Sequence, residues 1–230
     1  MGHRWRWTIW VAAALLLAGG AVAIRSARFQ RVVARFPQPA PADSVRMAGQ
    51  AWRCLHHWEF SRGRGRDAWG WGEWRLSDGA LEGRGHGGQD AVYFLPFEHG
   101  EDFLLETNLC FVSGEDGRVA EAQLITRDSA QMNNESGVTL FAEGRRFNVR
   151  HMVGRREHLL RIVPLAAEVG YGGWHRLQLA VRDGRATVLL DGQVIYVGEE
   201  DLPPGYYREP HLAVKSGLVR FLDLKIFVPS

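Results

Sequence analysis

The stretch GGWHRLQLAVRDGRATVLLDGQVIY, residues 172–196, constrains the fold more than any other. Apolar and polar residues alternate, break at Asp183-Gly184, alternate again and break at Asp191-Gly192. A period of two sends successive side chains to opposite sides of an extended backbone. Asp-Gly supplies the two left-handed residues that a two-residue hairpin corner needs. Three short strands with tight corners are expected, with His175, Leu177, Leu179 and Val181 inward and Arg176, Gln178 and Arg182 outward. A slip of one residue would exchange those faces, so the corners also fix register.

The pattern runs from Ala51 to the end of the chain. EWRLSDGALEGRG turns at Asp78-Gly79, Pro96 closes AVYFLPF, and GVTLFAEGRRFNVRHM turns at Glu143-Gly144. In DFLLETNLCFV, Phe103, Leu105, Thr107, Leu109 and Phe111 share one face; Asp102, Leu104, Glu106, Asn108 and Cys110 share the other. In VAEAQLITR, Glu121, Gln123, Ile125 and Arg127 oppose Ala120, Ala122, Leu124 and Thr126. HLLRIV, PHLAVKSG and LVRFLDLKIFV complete the series. No segment past residue 50 keeps a helical period, and no fixed-length repeat appears. The expected fold is all-β: two antiparallel sheets of roughly twelve to fourteen strands in all, over residues 51–230.

Charge divides the chain. Residues 1–46 hold seven of the 28 basic residues and one of the 26 acidic ones. The remainder, with 21 basic and 25 acidic residues, is mildly acidic and lacks the basic face that nucleic acid requires. Trp7 to Ile24 is an uncharged run of 18 residues, at the lower end of what spans a bilayer. Residues 1–24 are therefore expected to be a helical signal-anchor or transmembrane segment; a cleaved secretory signal is the alternative. Arg25, Arg28, Arg31 and Arg35 follow it, and FPQPAPADS is a stiff, extended spacer, so residues 25–50 read as a basic and proline-rich linker. The domain is expected in the periplasm or outside the cell, membrane-anchored, or secreted after cleavage. Export would permit a disulfide between Cys54 and Cys110; two buried thiols fit equally, and spacing does not decide.

The order of motifs resembles the concanavalin A-like lectin/glucanase sandwich, a jelly roll, and within it the 3-keto-disaccharide hydrolase-like family. EWRLSDGALEG resembles that family's opening hairpin, and DFLLETNLCF its following strand. NNESGVTLF is similar to its Asn-Ser-Gly strand entry, interrupted here as Asn134-Glu135-Ser136-Gly137. GGWHRLQLAVRDGRATVLLDGQVI with PHLAVKSGLVRFLDLKIF resembles its closing strands. The likeness covers about residues 58–228. The carboxylates that alternate along one glucanase strand are missing; the matching strand offers only Asp102 and Glu106. The resemblance implies a fold and a sugar-binding sheet more than a reaction.

Three groups are candidate binding residues. The first is the polar sheet face: Glu106, Asn108, Glu121, Gln123, Asn148, Arg150, Arg176 and Gln178 read outward by parity. Their carboxylates, amides and guanidinium groups suit hydroxyls, which donate and accept. A solvated face of paired charges is the plainer interpretation. The second is DAWGWGEWRL, where Trp69 and Trp71 offer flat platforms for a pyranose ring and Trp74 suits packing. The third is the loop DSAQMNNESG, where Asn134 and Glu135 serve a ligand; with Asp128 and Asn133 they also form a possible calcium set, although the spacing matches no defined calcium loop. GRGHGGQD, with His86, does not lie between a strand and a helix and so is no phosphate cradle. The expected function is a membrane-tethered, extracytoplasmic module binding carbohydrate or cell-envelope polysaccharide, with no cofactor. Two alternatives are a hydrolase of ordinary or 3-keto glycosides with Glu106 or Glu135 as acid/base, and a structural envelope interaction module.

Overall fold

The computed structural model describes residues 44–47, 49–62, 69–86, 90–94, 98–128, 135–153, 156–198 and 207–230. They form seventeen strands: β1 (Ser44–Met47), β2 (Gln50–Glu59), β3 (Trp69–Trp71), β4 (Glu73–Ser77), β5 (Ala80–Gly85), β6 (Ala91–Phe94), β7 (Glu98–Gly100), β8 (Phe103–Ser113), β9 (Glu121–Asp128), β10 (Glu135–Phe141), β11 (Gly144–Val153), β12 (Arg156–Val169), β13 (Trp174–Arg182), β14 (Arg185–Leu190), β15 (Gln193–Val197), β16 (Tyr207–Phe221) and β17 (Asp223–Pro229). The number exceeds the expected twelve to fourteen because β1, β3 and β7 have only four, three and three residues. Runs that short show no alternation in sequence. β1 lies in the stretch read as linker. The helix expected over residues 1–24 lies outside the described residues. Among the described residues no helix is long and apolar enough to cross a membrane.

All strand pairs are antiparallel and fall into two layers. The first sheet runs β1-β2-β17-β8-β13-β14-β15, with β4, β5 and the end of β16 completing it beside β8. The second runs β3-β6-β16-β9-β10-β11-β12, with β7 also paired to β16. β16 belongs to both. His211 to Ser216 pair with β9, then Gly217 to Phe221 pair with β5 and β8. Gly217 makes the crossing possible: its φ is 76°, and a Cβ there would lie 2.4 Å from the Ser113 carbonyl oxygen.

The core between the layers has the parity expected from sequence except at His175, which was expected inward but stays outside the apolar cluster with Nδ1 2.9 Å from Asp191 Oδ2. Phe103, Leu105, Leu109 and Phe111 of β8 meet Leu177, Leu179 and Val181 of β13, Leu124 of β9, Val138 and Leu140 of β10, and Phe147 of β11. Each such side chain contributes about 1.5–3 kcal/mol by leaving water. The corners also behave as expected: Asp78-Gly79, Asp183-Gly184 and Asp191-Gly192 all have positive φ at both residues. Cys54 and Cys110 are separate buried thiols rather than a disulfide. Two smaller apolar clusters lie outside the core. One, on the first sheet, includes Trp52, Leu104, Ala180 and Phe227; the other, on the second sheet, is Val92, Phe94, Ile125 and Ala213.

Candidate functional site

The outer face of the second sheet carries a row of side chains set by strand register. Ala213 of β16 pairs with Gln123 of β9, Gln123 with Thr139 of β10, Thr139 with Asn148 of β11, and Asn148 with Ile162 of β12. Paired residues point to the same side, so three polar groups stand together between apolar ends. Gln123 Nε2 donates to Thr139 Oγ1 at 3.1 Å, and the threonine hydroxyl keeps its own proton to donate. Gln123 is 2% exposed. Gln123 Oε1 and Asn148 Oδ1 are both buried without a hydrogen-bond partner. Leaving such an acceptor unmet costs about 1–3 kcal/mol.

The next row places His211 opposite Ile125, Ile125 opposite Gly137, and Gly137 opposite Arg150. Glu135 begins β10 beside them. Its carboxylate lies 3.9 Å from His211 Nε2 and 4.0 Å from an Arg150 terminal nitrogen. Arg150 is 4% exposed. His211 stacks near Phe94 with ring centroids 4.5 Å apart, and Phe94 lies 5.1 Å from the Trp71 ring. Trp71 is 37% exposed and its carbonyl accepts the Trp74 indole N–H at 3.1 Å. Across its width the first row passes from the aromatic strip to the amides, and the next row along the strands adds the ionic groups His211, Glu135 and Arg150. That mixture suits a ring with an apolar side and a rim of hydroxyls.

The sequence predicted one polar face, and the structure divides it in two. Gln123, Asn148, Arg150 and Glu135 lie on the second sheet, whereas Glu106, Asn108, Arg176 and Gln178 lie on the outer side of the first. Parity separates inward from outward positions, but a sandwich has two outward sides. β3 belongs to the second sheet, so Trp71 borders Gln123's face and not that of Glu106. Trp69 takes the register position opposite Phe94; its side chain lies outside the described set, as do Asn133, Asn134 and the side chain of Asp128. Among the described residues no cluster of three acidic, histidine or cysteine side chains is placed to hold a metal.

On the first sheet the carboxylates are already matched. Lys225 Nζ donates to Glu106 Oε1 at 2.9 Å, and Gln178 Nε2 donates to Glu106 Oε2 at 2.7 Å. Asp223 Oδ1 accepts from the Asn108 backbone N–H at 3.0 Å and from its side-chain amide at 2.9 Å. His57 Nε2 and Lys225 Nζ each lie 3.4 Å from Asp223 Oδ2. Burial alone would raise the Asp223 pKa, but His57, Lys225 and Asn108 outweigh it and hold the carboxyl below its ordinary value. Burial likewise opposes ionisation of Glu82, and the Arg220 and Arg75 guanidinium groups overcome it. Arg176 contributes chiefly its backbone, whose N–H donates to Asp191 Oδ1 at 2.8 Å. Sequence reading missed Lys225, Asp223, Thr139 and His211. Their alternation was visible, but the strands they face become neighbours only once the chain folds.

No protein-family model and no curated protein matches the chain. Solved structures do. A protein of unknown function with a galectin-like fold from Bacillus subtilis superposes with a TM-score of 0.59 at 12% identity, covering 82% of this chain and 100% of that one. The carbohydrate-binding module CBM66 from Bacillus subtilis gives 0.53 at 16% identity over 65% of this chain and 88% of that one. A Bacillus licheniformis beta-glucanase gives 0.52 at 9% identity over 84% and 100%. With the two antiparallel layers joined through β16, these likenesses show the fold of the described residues: an antiparallel jelly-roll sandwich similar to those of concanavalin A-like lectins and glucanases.

Proposed function

We propose that this chain is a carbohydrate-binding module whose ligand lies on the outer face of the second sheet, over Gln123, Thr139, Asn148 and Arg150, with Trp71 at its edge. The observation that carries this reading is the pair of buried acceptors, Gln123 Oε1 and Asn148 Oδ1, on either side of the Thr139 hydroxyl. Neighbouring ligand hydroxyls donate to the two amide oxygens and accept from Thr139. Arg150 and Glu135 then read the next substituent. The carbohydrate-binding module among the similar structures supports the ligand class. The N-terminal apolar run and the proline spacer support a tethered, extracytoplasmic domain with a cell-envelope polysaccharide as partner; secretion after cleavage leaves the binding face the same.

A panel of soluble polysaccharides, read by affinity electrophoresis, tests the proposal. At least one should retard the native protein and not the Gln123→Ala, Asn148→Ala double variant. Equal retardation of both, or none across a broad panel, would overturn it. A glycoside-active reading has one specific support, Glu135 between His211 and Arg150. Glu106 cannot join it as the second carboxyl that glycoside hydrolysis usually requires, because it lies on the other layer. This reading predicts turnover that Glu135→Gln abolishes.

A further inference from the structure

The outer face of the first sheet holds a groove of about 320 Å³, remote from the glycan face by the thickness of the sandwich. Its lining includes the apolar side chains Met47, Trp52, Ala180 and Val197 and the polar Arg185 and Thr187. Register brings them together: Ala180 pairs with Thr187, Thr187 with Val197, and Arg182 with Arg185. Two of these groups lack what they need. Trp52 is 2% exposed, and its indole N–H is buried with no acceptor. The Arg185 side chain makes no hydrogen bond or ion pair with any described residue. Arg182 beside it is occupied, donating to Gln50 Oε1 with its Nε 3.7 Å from Asp183.

We infer that this groove is a second ligand site, taking a small monocarboxylate with an aliphatic tail. A carboxylate only accepts hydrogen bonds, which is the partner that the indole N–H and the guanidinium both lack. The apolar side chains suit a tail and would desolvate the hydroxyls of a sugar without pairing them. A cation is disfavoured because the lining holds Arg182 and Arg185 against one carboxylate, Asp183, which already lies 3.7 Å from Arg182 Nε. The volume lies at the low end for ligand pockets, which suits about six to eight carbons.

Titration calorimetry on the full chain with octanoate, octan-1-ol and octylamine tests the inference. Octanoate should bind at least about tenfold more tightly than octanol, and octylamine not measurably. Arg185→Gln and Trp52→Phe should each weaken octanoate by about tenfold, the order expected for a hydrogen bond to a charged group. Arg185 is exposed, so its variant reports on the site even if Trp52→Phe disturbs packing. Equal affinity for octanoate and octanol, an unchanged affinity in Arg185→Gln, or no heat at millimolar octanoate would overturn the assignment.

Discussion

Lys225 joins two acids on one face of the first sheet, lying 2.9 Å from Glu106 and 3.4 Å from Asp223. Removing its charge leaves two largely buried carboxylates short of a counter-ion. Lys225→Met should cost about 2–3 kcal/mol in urea unfolding, below the full penalty of a buried orphan because the lysine is 22% exposed. A cost near zero would mean that water serves the site as well as the ammonium does. This cluster and the separate group of Glu82 with Arg75 and Arg220 set the acid response. Asp223 and Glu82 have folded pKa values below their unfolded ones, so their stabilisation is complete above the unfolded values. It drains away as pH falls through the folded values. Thermal melts should therefore hold above the ordinary carboxylate range and decline beneath it, and Asp223→Asn should flatten part of that decline. His86 works in the opposite sense. Hydrogen bonds and charge from Glu73 and Glu115 raise its pKa, so its contribution is present below the unfolded value and lost as pH rises through the folded one.

At the scale of strands, Gly217 separates the two roles of β16. An L residue at φ 76° is strained, and any Cβ would press on the Ser113 carbonyl, which is backbone and cannot swing aside. Gly217→Ala should destabilise the fold by about 2 kcal/mol or more in chemical denaturation; an unchanged midpoint would show that the strand crosses between sheets without a glycine. Strand-level reading also marks where sequence stops being informative. The faces of β8 and β13 were legible because Leu105, Leu109 and Phe111 alternate with Glu106 and Asn108, and Leu177, Leu179 and Val181 with Arg176, Gln178 and Arg182, despite apolar Leu104, Cys110 and Ala180 on the outward side. The partners were not legible. Glu106 meets Lys225 across 119 residues because β17 inserts beside β8, and no local pattern encodes that choice. Gln123 and Glu106 both read as outward and polar, yet they belong to different layers. The corners, by contrast, are local chemistry, and three Asp-Gly pairs announced hairpins that the structure contains.

Taken as a whole, the molecule has a shared apolar core and two outer faces with different chemistry. The first sheet pairs its buried carboxylates with Lys225, His57, Gln178 and the guanidinium groups of Arg75 and Arg220. The second leaves two amide oxygens unmet beside an aromatic strip. The buried ion pairs and the proposed glycan face therefore lie on different layers, and substitution can tell them apart. Asn148→Leu removes an unmet acceptor at similar volume, so it should keep or slightly raise the melting temperature while losing the ligand. Gln178→Leu, on the other face, should lower stability and leave binding alone. The most direct measurement is titration calorimetry of the polysaccharide identified by electrophoresis against native protein, Asn148→Leu and Gln178→Leu. The account predicts at least about tenfold weaker binding in Asn148→Leu and native affinity in folded Gln178→Leu; native affinity in Asn148→Leu, or loss confined to Gln178→Leu, would contradict it.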